Sequence, residues 1–68
     1  MSSLVKIEGI VEEALPNALF RVTTTDNRMI RAVLSGKMRY NKIRILVGDK
    51  VIVEEDPQGG VSRVVRRL

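Results

Sequence analysis

Short runs of apolar residues, rich in Val and Ile, alternate with polar residues along most of the chain. Turn residues interrupt these runs at intervals of roughly ten positions, which is the spacing of an all-β barrel or sandwich. In the first run, Leu4–Glu13, Val5, Ile7 and Val11 share one parity, and Gly9 stands where an interior glycine commonly marks a bulge or a sharp bend. The alternation predicts strands because successive side chains of a strand point to opposite faces.

The remaining runs complete a set of five predicted strands. Leu15-Pro16-Asn17 predicts a turn after the first strand, since Pro presets φ and Asn tolerates left-handed geometry. The second and third strands flank a short polar tip and are expected to form a hairpin. The predicted strands are Leu4–Glu13, Leu19–Thr24, Met29–Leu34, Lys50–Glu55 and Val61 to about Arg67.

The segment between the third and fourth strands breaks the alternation. Ser35 is suited to cap a helix, Met38 to face the core from it, and Asn41 to end it. A short helix or structured loop is therefore predicted there. A five-stranded Greek-key barrel with its irregular element between strands three and four is the OB-fold arrangement, and an SH3-like barrel is the alternative. The chain is expected to form one such domain over residues 1–68.

Composition narrows the functional classes. Among its 68 residues the chain has no His and no Cys. The usual general base and the thiolate nucleophile or zinc ligand are absent, so neither an enzyme nor a metal or other cofactor is expected. No apolar run approaches the roughly 20 residues that span a bilayer. The first six residues show no basic region followed by an apolar core, so export is not expected and a cytoplasmic location is predicted.

The net charge of +4 lies entirely in the second half of the chain. Residues 1–36 hold four basic and four acidic side chains, whereas residues 37–68 hold eight and four. The basic residues form two clusters, one in residues 37–44 and one at the end of the last strand. Two such clusters indicate a polyanionic partner.

The first cluster is the sharpest candidate for RNA binding. Several basic side chains on one short element can contact several phosphates, and Tyr40 offers a face for base stacking. The alternative is a solvated helix surface with Tyr40 packed over the core. The basic residues concerned are Lys37, Arg39, Lys42 and Arg44.

The second cluster comprises Arg63, Arg66 and Arg67, which are candidates for a phosphate-binding edge or for solubilising charge. In a regular strand Arg63 and Arg67 share one face and Arg66 takes the other, so all three cannot line one surface. Arg21 and Arg31 occupy outward positions on the adjacent second and third strands, where they are candidates for an RNA-facing surface or merely exposed.

Three segments resemble bacterial-type translation initiation factor one, in order and at that family's spacing. The resemblance covers nearly the whole chain. Relative to the usual order in that family, Tyr40 and Lys42 are exchanged. The matching segments are Leu15-Pro16-Asn17-Ala18-Leu19-Phe20-Arg21-Val22, Ser35-Gly36-Lys37-Met38-Arg39 and Ile43-Arg44-Ile45-Leu46-Val47-Gly48-Asp49-Lys50-Val51.

The resemblance implies a noncatalytic, monomeric OB-fold protein. It implies binding in the aminoacyl-tRNA site of the small ribosomal subunit, against ribosomal RNA of the decoding centre, beside initiation factors two and three. The family's RNA-contacting loop after strand three maps onto Lys37, Arg39 and Arg44, and its last-strand arginines onto Arg63 and Arg66.

Two other functions remain open. A generic single-stranded RNA binder or RNA chaperone of cold-shock type expects several exposed aromatic residues, whereas this chain has one Phe and one Tyr. A protein-interaction barrel of SH3 type expects an aromatic-lined groove for a Pro-rich ligand.

Overall fold

The computed structural model describes residues 4–68. Residues 1–3, which are part of the segment considered above for an export signal, lie outside the described residues. Five strands and one short helix follow in the order β1, β2, β3, α1, β4, β5. Their bounds are Val5–Leu15 for β1, Leu19–Thr24 for β2, Met29–Leu34 for β3, Gly36–Tyr40 for α1, Lys50–Glu55 for β4 and Ser62–Arg67 for β5.

The strands close into a barrel in the order β1-β2-β3-β5-β4. Four of the neighbouring pairs are antiparallel, and the pair β3–β5 is parallel. β1 takes part in two ladders, because its first half pairs with β4 and most of its length pairs with β2. The predicted five-stranded barrel with a short helix between the third and fourth strands is confirmed.

The predicted bounds of β2, β3 and β4 are confirmed, and β1 is longer than expected. It continues to Leu15, which pairs with Leu19 of β2. Only residues 16–18 are left for the turn, and Asn17 and Ala18 both have positive φ, at 65° and 57°. Two successive positive φ values match the twist of the flanking strands, so the hairpin closes tightly and the ladder extends to its end.

Inward-facing residues of all five strands form the core, and α1 and the loop after it supply two more. Met38 is 1% exposed and Ile45 is 6% exposed. Because a barrel of this size has room only for side chains, small and β-branched residues dominate its interior. The buried apolar residues are Val11, Phe20, Val22, Ala32, Met38, Ile45, Val51, Val53 and Val64.

Gly9 marks a close approach of two strands rather than the bulge. The register shift in β1 lies between Val11 and Glu13. A Cβ on Gly9 would lie 2.5 Å from Val22 Cγ1 and 2.9 Å from the Thr23 carbonyl oxygen. The missing side chain therefore lets the backbones of β1 and β2 meet.

We expect the Gly9→Ala substitution to lower the free energy of unfolding by about 2 kcal/mol, because neither a buried Val nor a strand backbone can move aside cheaply. Gly36→Ala is the matched control, since nothing lies within 4 Å of the added Cβ there. Urea denaturation of both variants provides the measurement. Equal midpoints for the two variants would contradict the close approach.

Arg28 joins the β2–β3 turn to the end of β4. Its Nη1 and Nη2 donate to the two carboxylate oxygens of Glu55 at 2.9 and 2.7 Å, and its Nε donates to Asp26 at 2.7 Å. Within the described chain β3 pairs with β5 only over Ala32–Leu34. The two hydrogen bonds between Arg28 and Glu55 therefore lie where β5 has not yet begun. The buried Thr24 hydroxyl bonds Asp26 and accepts the Arg28 N–H.

The Thr24 hydroxyl and the Arg28 guanidinium hold the pKa of Asp26 below its usual value of 3.8. A carboxylate whose pKa is lowered on folding stabilises the fold above its unfolded pKa and loses that contribution as pH falls through the folded pKa. We therefore expect Asp26→Asn to unfold at a lower temperature than the wild type at pH 7, and the difference to shrink as pH falls below 3.8 and through the folded pKa of Asp26.

Glu12→Gln is the control for this comparison, because Glu12 is exposed and makes no ion pair with residues 4–68. Its thermal unfolding should differ from that of the wild type by the same small amount at pH 7 and pH 3. A difference between Asp26→Asn and wild type that is independent of pH would show that Asp26 is not held by these contacts.

Candidate nucleic-acid interface

Two buried residues flank most of the first basic cluster, and Lys37 directly precedes the first of them. Met38 attaches α1 to the core and Ile45 attaches the following loop, so the side chains between them are turned outward. The Ser35 hydroxyl caps α1 by accepting the Met38 N–H at 3.2 Å, and the Ser35 N–H donates to the Val64 carbonyl at 3.0 Å. Tyr40 is 87% exposed, so it projects into solvent rather than over the core.

α1 ends in a Schellman motif, a backbone turn that satisfies the last carbonyls of a helix. The Lys42 N–H donates to Arg39 and the Ile43 N–H donates to Met38, both at 3.1 Å. Lys42 has φ of 55°. Glycine or asparagine usually occupies this position, because the left-handed conformation strains residues with a larger side chain. The chain thus keeps a lysine at a strained position of the candidate site.

A groove of about 410 Å³ separates α1 from β5. It has three cationic side chains and no carboxylate in its lining, and Met38, Ile43 and Val65 contribute apolar surface. The groove is lined by Lys37, Met38, Asn41, Ile43, Val65, Arg66 and Arg67. The fold therefore brings together members of both basic clusters, which lie far apart in sequence.

A second register shift separates the arginines of β5. Arg63 pairs with Glu54 and Arg66 pairs with Ile52, so both lie on the outer face of the sheet. Arg67 pairs with Val51, whose side chain is in the core. The regular strand assumed above would have put Arg63 and Arg67 on one face. That grouping is wrong, because the irregularity between Ile52 and Val53 moves Arg66 to the face of Arg63.

Arg67 makes a specific contact with the loop. Its Nη1 donates to the Arg44 carbonyl oxygen at 3.0 Å. The next residue, Leu68, donates its backbone N–H to the Lys50 carbonyl at 2.8 Å. The end of β5 is thereby attached both to the loop after α1 and to the beginning of β4.

Arg63 lies on the barrel wall, outside the lining of the groove. It pairs across the sheet with Val33 of β3. On the same outer face Arg21 and Arg31 are directly opposite each other on β2 and β3. Like charges in that arrangement repel, and Glu13 balances only Arg21, at 3.4 Å. The wall therefore carries three arginines, with Glu13 beside Arg21 and Glu54 across from Arg63.

The cations of the loop and groove have no acidic partner in the described part of the chain. The three ion pairs among residues 4–68 involve Arg21 and Arg28 only. Lys37, Arg39, Tyr40, Lys42 and Arg44 are all exposed, as are the three terminal arginines. The positive charge is thus free to attract an anionic ligand.

Four residues of the groove, Met38, Asn41, Ile43 and Val65, are absent from the binding candidates that the sequence provided. Met38 was predicted only to face the core. Asn41 was recognisable only as a helix end. Ile43 and Val65 looked like ordinary strand or loop residues. Nothing in the alternation of the last strand signals its irregularity, so the position of Val65 in the groove could not be predicted.

Neither a membrane-crossing helix nor a metal-binding group of side chains occurs among residues 4–68. No helix within residues 4–68 has the length and apolar character needed to cross a membrane. In that same range, no three His, Cys, Asp or Glu side chains are grouped so as to hold a metal ion.

Comparison with known proteins identifies the family. The family model for translation initiation factor 1A / IF-1 matches residues 3–68. The chain belongs to this family. As a family member it is a translation initiation factor, and RNA binding, ribosome binding and a role in protein biosynthesis follow from that membership.

A solved structure of the family has the same fold. The solution structure of translation initiation factor one from the Wolbachia endosymbiont strain TRS of Brugia malayi is similar at 43% identity and a TM-score of 0.78. The match covers 96% of this chain and 78% of the other. The barrel is therefore an OB-fold, and the alternative of an SH3-like barrel is excluded.

The strain at Lys42 yields a prediction specific to this family member. Lys42→Gly should raise the free energy of unfolding by about 0.5–1 kcal/mol, since glycine adopts positive φ without strain. The same change should weaken binding to ribosomes severalfold, because it removes an unpaired cation. Thermal unfolding and a ribosome-binding titration measure the two effects.

Lys42→Asn separates the two contributions. Asparagine tolerates positive φ and carries no charge, so this variant should bind as weakly as Lys42→Gly. A Lys42→Gly protein that gains stability and binds ribosomes like the wild type would show that Lys42 does not contact RNA.

Proposed function

We propose that this initiation factor binds the small ribosomal subunit in its aminoacyl-tRNA site, through ribosomal RNA of the decoding centre. It acts there as a monomer beside initiation factors two and three, in the cytoplasm and without catalysis. The single OB-fold domain performs this role with one end of the barrel and the adjoining wall.

The convergence of unpaired cations around the α1–β5 groove is the observation that carries this proposal. Lys37 and Arg66 line the groove from opposite sides. Arg39, Lys42 and Arg44 project from the helix and loop beside it. Cations at this density attract an RNA backbone, and phosphate contacts provide affinity without reading a sequence. A ribosome offers one shaped site, so sequence reading is unnecessary.

Two features suit an unpaired base as well as a phosphate. Tyr40 presents a free aromatic face, and each stacked base contributes about 1–3 kcal/mol in such platforms. Ile43 and Val65 give the groove apolar surface beside its cations. Bases of loops and bulges can be splayed out onto such surfaces. Arg63 extends the contact along the wall toward Arg21 and Arg31.

A generic single-stranded RNA binder is the rival function. Such proteins present several stacking platforms. Of the two aromatic residues within the described chain, Phe20 is 7% exposed and belongs to the core, which leaves Tyr40 alone. One exposed aromatic side chain, together with cations concentrated at one end of the barrel, favours a single shaped RNA site.

Charge reversal at Arg39 and Arg44 tests the site. Each of Arg39→Glu and Arg44→Glu should weaken binding to small subunits by at least about tenfold near 0.1 M salt, and should reduce the salt dependence by roughly one phosphate contact. Lys6→Glu is the matched control, because Lys6 is exposed on β1, which does not line the groove. Affinities of the two arginine variants within twofold of the wild type would contradict the assignment.

Co-sedimentation with small ribosomal subunits, with and without excess free single-stranded RNA, separates the two functions. Stoichiometric, salt-sensitive binding that survives the competitor supports the initiation role. If free RNA displaces the protein from the subunits and binds it with similar affinity, the generic RNA binder is supported instead.

A further inference from the structure

We infer that Arg67 contributes to ribosome binding by positioning the loop that carries Arg44, and that it does not itself contact phosphate. The inference rests on the proposed function of the groove and loop. It changes the role that the sequence predicts for Arg67, which is a direct RNA contact.

The hydrogen bond from Arg67 reaches the loop at a residue that no other contact among residues 4–68 is seen to hold. The Schellman motif holds the backbone as far as Ile43, and the burial of Ile45 holds it again two residues later. Arg44 lies between these points. The guanidinium of Arg67 donates to the Arg44 carbonyl oxygen at 3.0 Å. Among residues 4–68, Arg67 is the residue whose side chain hydrogen-bonds to this carbonyl.

The strand geometry prepares Arg67 for this role. Its backbone pairs with Val51, and the next residue is bonded to Lys50, so the base of the side chain is fixed to the ladder. The irregularity before it turns Arg67 to the other face from Arg63 and Arg66. A guanidinium that donates to a carbonyl has fewer donors left to meet a phosphate, and its orientation is set by the loop.

Arg66 is the matched comparison because it is adjacent in sequence, lines the same groove and makes no side-chain hydrogen bond with residues 4–68. A positioning residue and a phosphate contact differ in salt dependence, since only the second releases counterions on binding. The two arginines should therefore respond differently to the same substitution.

The test compares Arg67→Met with Arg66→Met in binding to small ribosomal subunits over a range of salt concentrations. Arg67→Met should lower affinity by about fivefold with the salt slope of the wild type, whereas Arg66→Met should lower the slope by about one contact. Arg67 is exposed, so the variant is expected to fold, and thermal unfolding checks this. Arg67→Gln replaces it if the methionine variant is poorly folded.

A double-mutant cycle with Arg44→Met tests the route of the effect. If Arg67 acts through Arg44, the loss in the double variant is smaller than the product of the two single losses, whereas the losses from Arg66→Met and Arg44→Met multiply. Hydrogen exchange of the Ile43 amide in the free protein provides a readout that needs no ribosome. It should be about tenfold faster in Arg67→Met, because the released Arg44 lets the neighbouring bond from Ile43 to Met38 open more often, and unchanged in Arg66→Met.

A reduced salt slope in Arg67→Met, together with multiplicative losses and unchanged exchange, would overturn the inference and make Arg67 a direct phosphate contact. Unchanged affinity in Arg67→Met would also overturn it. Failure of the wild type to bind small subunits would refute the proposed function instead, and the exchange comparison would still decide whether Arg67 holds the loop.

Discussion

The approach of β1 to β2 at Gly9 is the contact on which the barrel depends. β1 must pair with β2 on one side and β4 on the other, and Gly9 is in register with Thr24 and Val51 at the same time. The backbone there runs against Val22 and the Thr23 carbonyl, which leaves no volume for a side chain. The absence of a side chain at Gly9 lets one residue of β1 lie close to β2 while it pairs with β4, and this supports closure around so small a core.

Closure also explains why the candidate binding residues lie on the outside of the barrel. With the interior filled by valines and a few larger residues, the barrel has no room inside for a ligand, and polar function moves to its surface. Met38 and Ile45, which hold α1 and the following loop in place, are part of the same core. The cations between those anchors are held outward by the packing of two apolar side chains, so binding geometry and stability share one set of contacts.

A strained backbone position and a pair of like charges lie within the candidate binding surfaces. Lys42 occupies a left-handed position that suits glycine, and Arg21 and Arg31 oppose each other on one face. Arg28, by contrast, forms ion pairs with both Asp26 and Glu55. The cations of the loop and groove have no acidic partner among the described residues, and this arrangement favours an anionic ligand.

Sequence alone determined most of the fold, because alternation and turn chemistry are local. The bounds of three strands, the cap at Ser35, the burial of Met38 and the outward position of the basic segment were all readable from residues near one another. The family resemblance rested on motifs of the same kind. Tertiary structure decided which residues meet: that Arg66 and Lys37 share a groove, that Val65 forms part of its lining, and that Arg67 holds the Arg44 carbonyl. These depend on a register shift between two strands, and register is set by the packing of the whole barrel rather than by the residues of one strand.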